Sequence, residues 1–201
     1  LPQGQGAGEL SAAAEAAGDA ERHPEIVIGG DATGHETISA IALNFAPVRL
    51  HGSLGPRLAA ARAVVLRALA RGESVYGLTT GLGAAVDTRL DADVIPAFQA
   101  RAIRARAVGV GEPFSTAEVR AMLAARLVAI CHGASGLSPG LAGTIAAMLN
   151  AGVHPVVRRI GSLGEADLSP LAQAFLPLIG EGEAEFRGAV MKGREAMAAA
   201  G

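Results

Sequence analysis

Residues 161–172 read GSLGEADLSPLA, and this stretch is the most informative part of the chain. Its first half is rich in glycine and other small residues, as is typical of loops whose backbone turns sharply. Its second half contains Asp167 and Ser169, both residue types that cap helix N-termini well, followed by an apolar run. The pattern predicts a loop over residues 153–166 that leads directly into a helix ending near Ile179.

The composition around this stretch favours an α-helical protein. Half of the 201 residues are apolar, only 3% are aromatic and the net charge is −2. Alanine and leucine are abundant and favour helices, so we expect one helical domain or a large piece of one. Both charge signs are interspersed, which argues against a nucleic-acid partner.

The cysteine content and the hydropathy of the chain predict where in the cell the protein is located. The single Cys131 excludes an internal disulfide framework and fits a reducing environment. We find neither a signal-peptide pattern nor an apolar run long enough to span a bilayer. The sequence therefore predicts a cytoplasmic protein without a membrane partner.

Local patterns predict a mainly α-helical chain with one or two short strand pairs. Residues 1–23 are expected to be a flexible tail, and residues 24–201 to form one unit. EIVIGG at 25–30 predicts a short strand followed by a turn, and Ser115-x-x-Glu118 is a capping box that opens a helix. Helices are predicted over residues 38–45, 56–71, 91–108, 115–132, 138–152, 167–179 and 192–200.

Four blocks, in chain order, resemble the N-terminal part of the histidine and aromatic amino acid ammonia-lyases. Residues 75–83, VYGLTTGLG, are similar to the family's Val-Tyr-Gly-x-Asn-Thr-Gly-Phe-Gly. The other blocks are residues 99–111, 120–136 and 149–183, the last of which contains the opening stretch. The resemblance implies the N-terminal part of the ammonia-lyase helical fold, without its C-terminal helical part. It also implies a homotetramer that acts on a small amino-acid substrate.

The opening stretch departs from the family at the residues that make its cofactor. The family loop reads Gly-Ser-x-Gly-Ala-Ser-Gly-Asp-Leu, and its Ala-Ser-Gly triad cyclises into methylidene-imidazolone, an electrophile that activates ammonia as a leaving group. Here only Glu165 and Ala166 lie between Gly164 and Asp167. The serine and the glycine of the triad are both missing. We therefore expect that methylidene-imidazolone does not form and that the protein carries no cofactor.

The block at 75–83 supplies most of the candidate site. By resemblance, Tyr76 is a catalytic acid/base that acts at the β-carbon of the substrate; the alternative is a tyrosine that anchors its loop by one hydrogen bond. The resemblance also makes Gly83, Thr79 and Leu82 substrate-binding positions. Thr79 and Leu82 stand where the family has asparagine and phenylalanine, so contacts with the substrate are expected to differ there.

Arg106 is the other predicted substrate-binding residue. It stands where histidine ammonia-lyase carries a histidine that helps to select the substrate, and its fork of donors suits an anionic or polarised sulfur or oxygen group. The alternative is a solvated helix arginine, since Arg101 and Arg104 lie nearby. Gln99 is interpreted as a surface residue. We predict no metal site, because the histidines lack ligand spacing.

Three functions fit these observations. The first is a cofactor-free carbon–nitrogen lyase resembling ergothionase, which eliminates trimethylamine from ergothioneine without the prosthetic group. In it Glu165 would bind the cationic amine, although a carboxylate at a helix N-terminus is also favoured by the helix dipole. The second is a non-catalytic paralogue or fragment with a binding or assembly role. The third is an ordinary ammonia-lyase homologue whose triad has decayed. Because family active sites combine residues from several subunits, this chain alone is expected to be inactive.

Overall fold

The computed structural model describes residues 23–29, 34–162, 164 and 168–201. Apart from His23, the predicted tail over residues 1–23 lies outside these ranges, and so does the predicted site residue Glu165. The described part of the chain is mainly α-helical, as predicted, with short strands between the helices.

The described residues form seven α-helices. They are α1 (His35–Leu43), α2 (Leu54–Ala70), α3 (Ile95–Arg104), α4 (Thr116–Cys131), α5 (Pro139–Ala151), α6 (Leu168–Phe175) and α7 (Gly193–Ala200). Two short 3₁₀ helices lie at Gly83–Ala85 and Leu176–Ile179.

Short strands join these helices in three small sheets. The strands are β1 (Ile26–Ile28), β2 (Val48–Leu50), β3 (Val110–Pro113), β4 (His154–Pro155), β5 (Arg158–Ile160), β6 (Glu183–Phe186) and β7 (Ala189–Lys192). β1 pairs with β2 in parallel, β3 pairs with β5 antiparallel, and β4, β6 and β7 form an antiparallel sheet in that order.

The termini of α4 and α5 follow from their sequences. Ser115 and Glu118 form the predicted capping box at the start of α4, each side chain bonding the backbone N–H of the other. Pro139 lies in the first turn of α5, where its missing N–H costs nothing. Gly152 ends α5 in the left-handed region, with φ of 74°.

The main core lies where α1, α4 and α5 pack together over β1 and β2. Aliphatic side chains fill it, including Ile41 of α1, Leu127 of α4 and Ile145 of α5, each fully buried. A smaller cluster joins α5 to α7 and to strand β6, where Phe186 is buried. The low aromatic content of the chain is thus compatible with an aliphatic helical core.

Arg120 is buried in this core, with 1% of its surface exposed. Its guanidinium donates to the carbonyl of Ile41 at 2.9 Å, to the carbonyl of Leu149 at 2.8 Å and to Nε2 of His154 at 3.1 Å. Both carbonyls belong to the last turns of α1 and α5, where backbone carbonyls lack intrahelical N–H donors and the helix dipole is negative. Two helix C-termini therefore compensate the charge of Arg120, and the ring of Phe45, 4.3 Å away, stacks on it.

Three predictions about individual elements were wrong in detail. The helix predicted over residues 91–108 spans only residues 95–104, because turns precede it and Gly109 and Gly111 follow it closely. The predicted loop over residues 153–166 contains β4 and β5. There are also more strands than one or two pairs. Except for the β6–β7 hairpin, these strands of two to four residues pair with segments far away in the sequence, so no local alternation reveals them.

Candidate functional site

The loop at residues 75–83 is held in shape by bonds of its own and by bonds to the flanking residues 73 and 88–90. Thr79 is buried, and its hydroxyl donates to the carbonyl of Glu73 at 2.5 Å and accepts the N–H of Val75 at 2.8 Å. These bonds close a tight turn around Thr79. The predicted substrate-binding residue Thr79 thus has its hydroxyl committed to the loop itself.

Tyr76 stands on the outside of this loop with 60% of its surface exposed. Its phenolic oxygen accepts the backbone N–H of Gly83 at 3.0 Å, so the phenol is both anchored and presented to solvent. Because the oxygen accepts this bond, its own proton remains available for another partner. The single anchoring hydrogen bond is compatible with either interpretation of Tyr76 from the sequence.

Glycines allow the two ends of the loop to approach each other. Gly77 has φ of +69°, and a Cβ there would lie 2.8 Å from Cδ2 of Leu82, closer than real contacts allow. Gly83, with φ of +59°, begins the short 3₁₀ helix. The structure therefore brings together Tyr76, Leu82 and Gly83, three of the predicted site residues.

Helix α3 lies beside this loop and carries two residues that concern it. The side-chain amide of Gln99 donates to the carbonyl of Gly77 at 2.7 Å and ties the loop to the helix. Arg106 follows the last turn of α3, half-buried, and its Nη1 donates to the carbonyl of Ala102 at 3.0 Å. Arg106 therefore folds back on the C-terminus of its own helix, where its charge is favourable.

The segment after α3 is joined to both flanks of the opening stretch. Gln173 of α6 accepts the N–H of Arg158 at 3.0 Å and donates to the carbonyl of Gly109 at 3.2 Å. On the other flank, a Cβ on Gly161 would lie 2.9 Å from Cα of Gly109 and 2.7 Å from Oγ of Ser169, so only glycine fits there. The chain after Arg106 and the opening stretch are thus packed against each other.

An ion pair fixes the far end of α3. Arg104 donates from Nε to both carboxylate oxygens of Glu181, at 2.7 and 2.9 Å. These bonds raise the pKa of Arg104 and lower the pKa of Glu181. Because both side chains are partly exposed, the pair contributes more to orientation than to stability.

Helix α3 thus connects the pieces of the candidate site. The 75–83 loop is bonded to its middle, Arg106 follows its end, and the opening stretch packs against the segment beyond. Sequence analysis missed the roles of Gln99 and Gln173. Both lie inside the blocks that resemble the family, but nothing in local periodicity shows that a glutamine bonds a distant carbonyl.

The serines near the opening stretch do not replace the missing triad serine. The Oγ of Ser162 accepts the N–H of Gly164 at 3.1 Å, inside the turn that precedes the altered positions. Ser169 is buried within α6, so its backbone is already committed to a helix. Neither residue stands in an Ala-Ser-Gly sequence.

A groove of about 470 Å³ lies between α4 and α6. Its lining includes Met122, Arg126, Ser162 and Leu171, whereas Tyr76 and Arg106 lie outside it. The groove therefore borders the opening stretch but not the other predicted site residues.

Two further observations concern the described residues as a whole. Within residues 23–29, 34–162, 164 and 168–201, no group of three or more His, Cys, Asp or Glu side chains is arranged to hold a metal ion. None of the helices formed by these residues has both the length and the apolarity needed to cross a bilayer.

Comparisons with known proteins give consistent results. A family model described as aromatic amino acid lyase matches residues 34–201. A probable histidine ammonia-lyase of Halobacterium salinarum is 41% identical over 176 residues, which cover 87% of this chain and 34% of that protein. The histidine ammonia-lyase 2 of Fusobacterium nucleatum is 40% identical over 177 residues, 88% of this chain and 35% of that protein.

Solved structures show the same similarity. The ergothioneine-degrading enzyme ergothionase from Treponema denticola superposes with a TM-score of 0.84 at 29% identity, over 88% of this chain and 35% of that one. Histidine ammonia-lyase from Trypanosoma cruzi has a TM-score of 0.79 at 26% identity, over 88% of this chain and 34% of that one. The chain thus spans about a third of the length of the relatives that it matches.

Proposed function

The chain belongs to the aromatic amino acid lyase family, and on that premise we propose that the full-length protein is a carbon–nitrogen lyase acting on a histidine-like amino acid. The observation that carries the proposal is the placement of Tyr76. Its exposed phenol is anchored by Gly83, and its own proton remains free for transfer.

In the proposed reaction Tyr76 is the base. Tyr76 first gives its phenolic proton to solvent; its oxygen then takes the β-proton of the substrate, and the electrons of the broken C–H bond form the α,β double bond. The electrons of the C–N bond leave with the amine, and the product is an acrylate. The backbone N–H of Gly83 keeps the oxygen in position for the transfer.

The altered triad favours an amine that leaves without help. Glu165 and Ala166 provide neither the serine nor the glycine from which methylidene-imidazolone is built. A quaternary trimethylammonium departs as neutral trimethylamine, so no electrophile is required. We therefore propose elimination of trimethylamine in preference to ammonia, and similarity to ergothionase supports this choice.

Two charged residues are proposed to recognise such a substrate. Glu165 would provide a carboxylate for the permanent cation of the leaving amine; it lies outside the described residues, so this role is based on the sequence. Arg106 would face the imidazole ring and a sulfur substituent on it. Leu82 and Gly83 would border the substrate, and Thr79 would contribute by holding the loop in shape.

The remaining features of the proposed enzyme follow from the family. We propose that it is a homo-oligomer, a tetramer by resemblance, and that each active site is completed by residues from beyond this chain. This accounts for the exposure of Tyr76, which would be covered in the assembled protein.

The decisive experiment incubates the full-length protein separately with ergothioneine and with histidine. The ultraviolet absorbance of the conjugated acrylate reports elimination, and released trimethylamine is quantified in parallel. We expect product from ergothioneine and little from histidine. Urocanate formed from histidine would contradict the proposal for the triad. Absence of product from either substrate would favour a non-catalytic paralogue with a binding or assembly role.

A further inference from the structure

We propose that Gln99 is a positioning residue that holds the loop of Tyr76 in place against helix α3. This inference rests on the proposed function, because it assigns Gln99 a part in presenting the base. It is carried by one long-range bond, from the Gln99 amide to the carbonyl of Gly77 at 2.7 Å, which joins residues 22 apart in the sequence.

The bond acts on the residue next to the base. Gly77 follows Tyr76 directly and has φ of +69°, a conformation that glycine adopts more readily than other residues. The Gln99 amide holds that peptide by its carbonyl. On the other side, Gly83 holds the phenolic oxygen of Tyr76 at 3.0 Å. The tyrosine is therefore restrained at both its backbone and its hydroxyl, and only the backbone restraint comes from outside the loop.

The end of α3 connects this restraint with Arg106. Arg106 is seven residues after Gln99 and two residues past the end of α3. Gln99 bonds the base loop, and the end of the helix leads to the predicted substrate-binding arginine. The helix is itself fixed, because Arg104 bonds Glu181 and α3 packs against α6. Gln99 thus ties the Tyr76 loop to the helix that leads to Arg106.

Gln99 is also exposed, so its contribution to the core is small. A residue of this kind, if it only filled surface, would be replaceable at no cost. If it positions the base, its replacement should loosen the loop and slow the reaction while the fold stays intact. This difference makes the inference testable.

Four variants separate the effect of the donated hydrogen bond from the effects of side-chain size and charge. Gln99→Met keeps the length of the side chain and removes the donor. Gln99→Lys keeps a donor, whereas Gln99→Glu places an acceptor against the Gly77 carbonyl. Arg101→Met, two residues further along the same helix and also exposed, is the matched control.

The first measurement is independent of turnover. Hydrogen exchange of the amides in residues 75–83 is compared among the variants, with the amides of α4 as an internal reference. We expect faster exchange of the loop in Gln99→Met and Gln99→Glu, but not in Gln99→Lys or Arg101→Met. Unchanged loop exchange in Gln99→Met would overturn the inference, whether or not the protein is found to be a lyase.

The second measurement uses the full-length protein in the elimination assay. We expect kcat to fall about 10- to 100-fold in Gln99→Met, as for a displacement of a reacting group by about 1 Å. It should fall further in Gln99→Glu and recover in part in Gln99→Lys, while KM changes less than kcat. A faster-exchanging loop with undiminished kcat would also overturn the inference. If the wild type shows no elimination, the proposed function fails and hydrogen exchange alone decides whether Gln99 anchors the loop.

Discussion

Replacing Arg120 with methionine tests the strongest energetic feature of the fold. The guanidinium holds the carbonyls of Ile41 and Leu149 and Nε2 of His154, and it is almost completely buried. Methionine has similar length and fills much of the same volume, so the cavity contribution is small. The variant therefore isolates the loss of the donors and the charge.

The expected loss of stability follows from the hydrogen-bond acceptors that are left without a donor. Each buried acceptor that loses its donor costs about 1–3 kcal/mol, so three acceptors give a gross loss of roughly 3–9 kcal/mol. Removing the guanidinium also relieves its own desolvation, which offsets several kcal/mol of that loss. The difference between these two terms is a net decrease of about 2–5 kcal/mol in the free energy of unfolding. This corresponds to roughly 4–20 °C in Tm.

Urea unfolding followed by circular dichroism measures this decrease. Arg126→Met, on the same helix α4 but partly exposed, is the matched control and should change stability by less than about 0.5 kcal/mol. Arg120→Lys keeps the charge without the fork and should fall between the wild type and Arg120→Met. An Arg120→Met variant within about 1 kcal/mol of the wild type would refute the reasoning that two helix C-termini compensate this cation.

Three further predictions concern pH and the proposed base. Burial and the neighbouring Arg120 lower the pKa of His154 below 6.5, so the native state binds fewer protons than the unfolded state. The free energy of unfolding should therefore have its full value above pH 6.5, fall as the pH drops below 6.5, and level off below the native pKa of His154. Denaturant titrations of His154→Asn over the same pH range should lack this fall. The bonds from Ser115 and Arg159 lower the pKa of Glu118 from 4.5 to about 2. The difference in stability between the wild type and Glu118→Gln should therefore be present above pH 4.5 and shrink as the pH falls toward 2. A difference in unfolding midpoints that stays constant with pH would contradict this. Tyr76→Phe removes the phenolic hydroxyl and its transferable proton but keeps the exposed ring. Elimination should therefore be abolished in the full-length protein, while the unfolding midpoint changes little. Turnover at the wild-type rate would show that Tyr76 is not the base.

Local sequence signals predicted the helices well. Ser115 and Glu118 marked the start of α4 because a capping box depends on residues three positions apart. Pro139 and Gly152 bounded α5 for the same kind of local reason. The motif at residues 75–83 also placed Tyr76 on a glycine-rich loop beside Gly83, as the structure has it.

The remaining features depend on contacts that local periodicity does not encode. Arg120 is separated by 79 residues from Ile41, so a sequence pattern cannot distinguish this buried arginine from a solvated one. Gln173 bonds Gly109, the residue before β3, across 64 residues. Helix α3 ended earlier than predicted because glycines and long-range pairing compete with helix propensity there.

The separation between the buried charge and the base loop has an evolutionary consequence. The buried contacts of the main core are made by α1, α4 and α5 around Arg120, whereas Tyr76 is exposed on a loop outside that core. Substitutions at the exposed positions of the loop therefore consume little of the stability margin that limits how many mutations a protein tolerates, unlike substitutions of the buried Thr79. A lineage with this architecture can exchange one leaving group or one ring specificity for another in small steps, with each intermediate still folded.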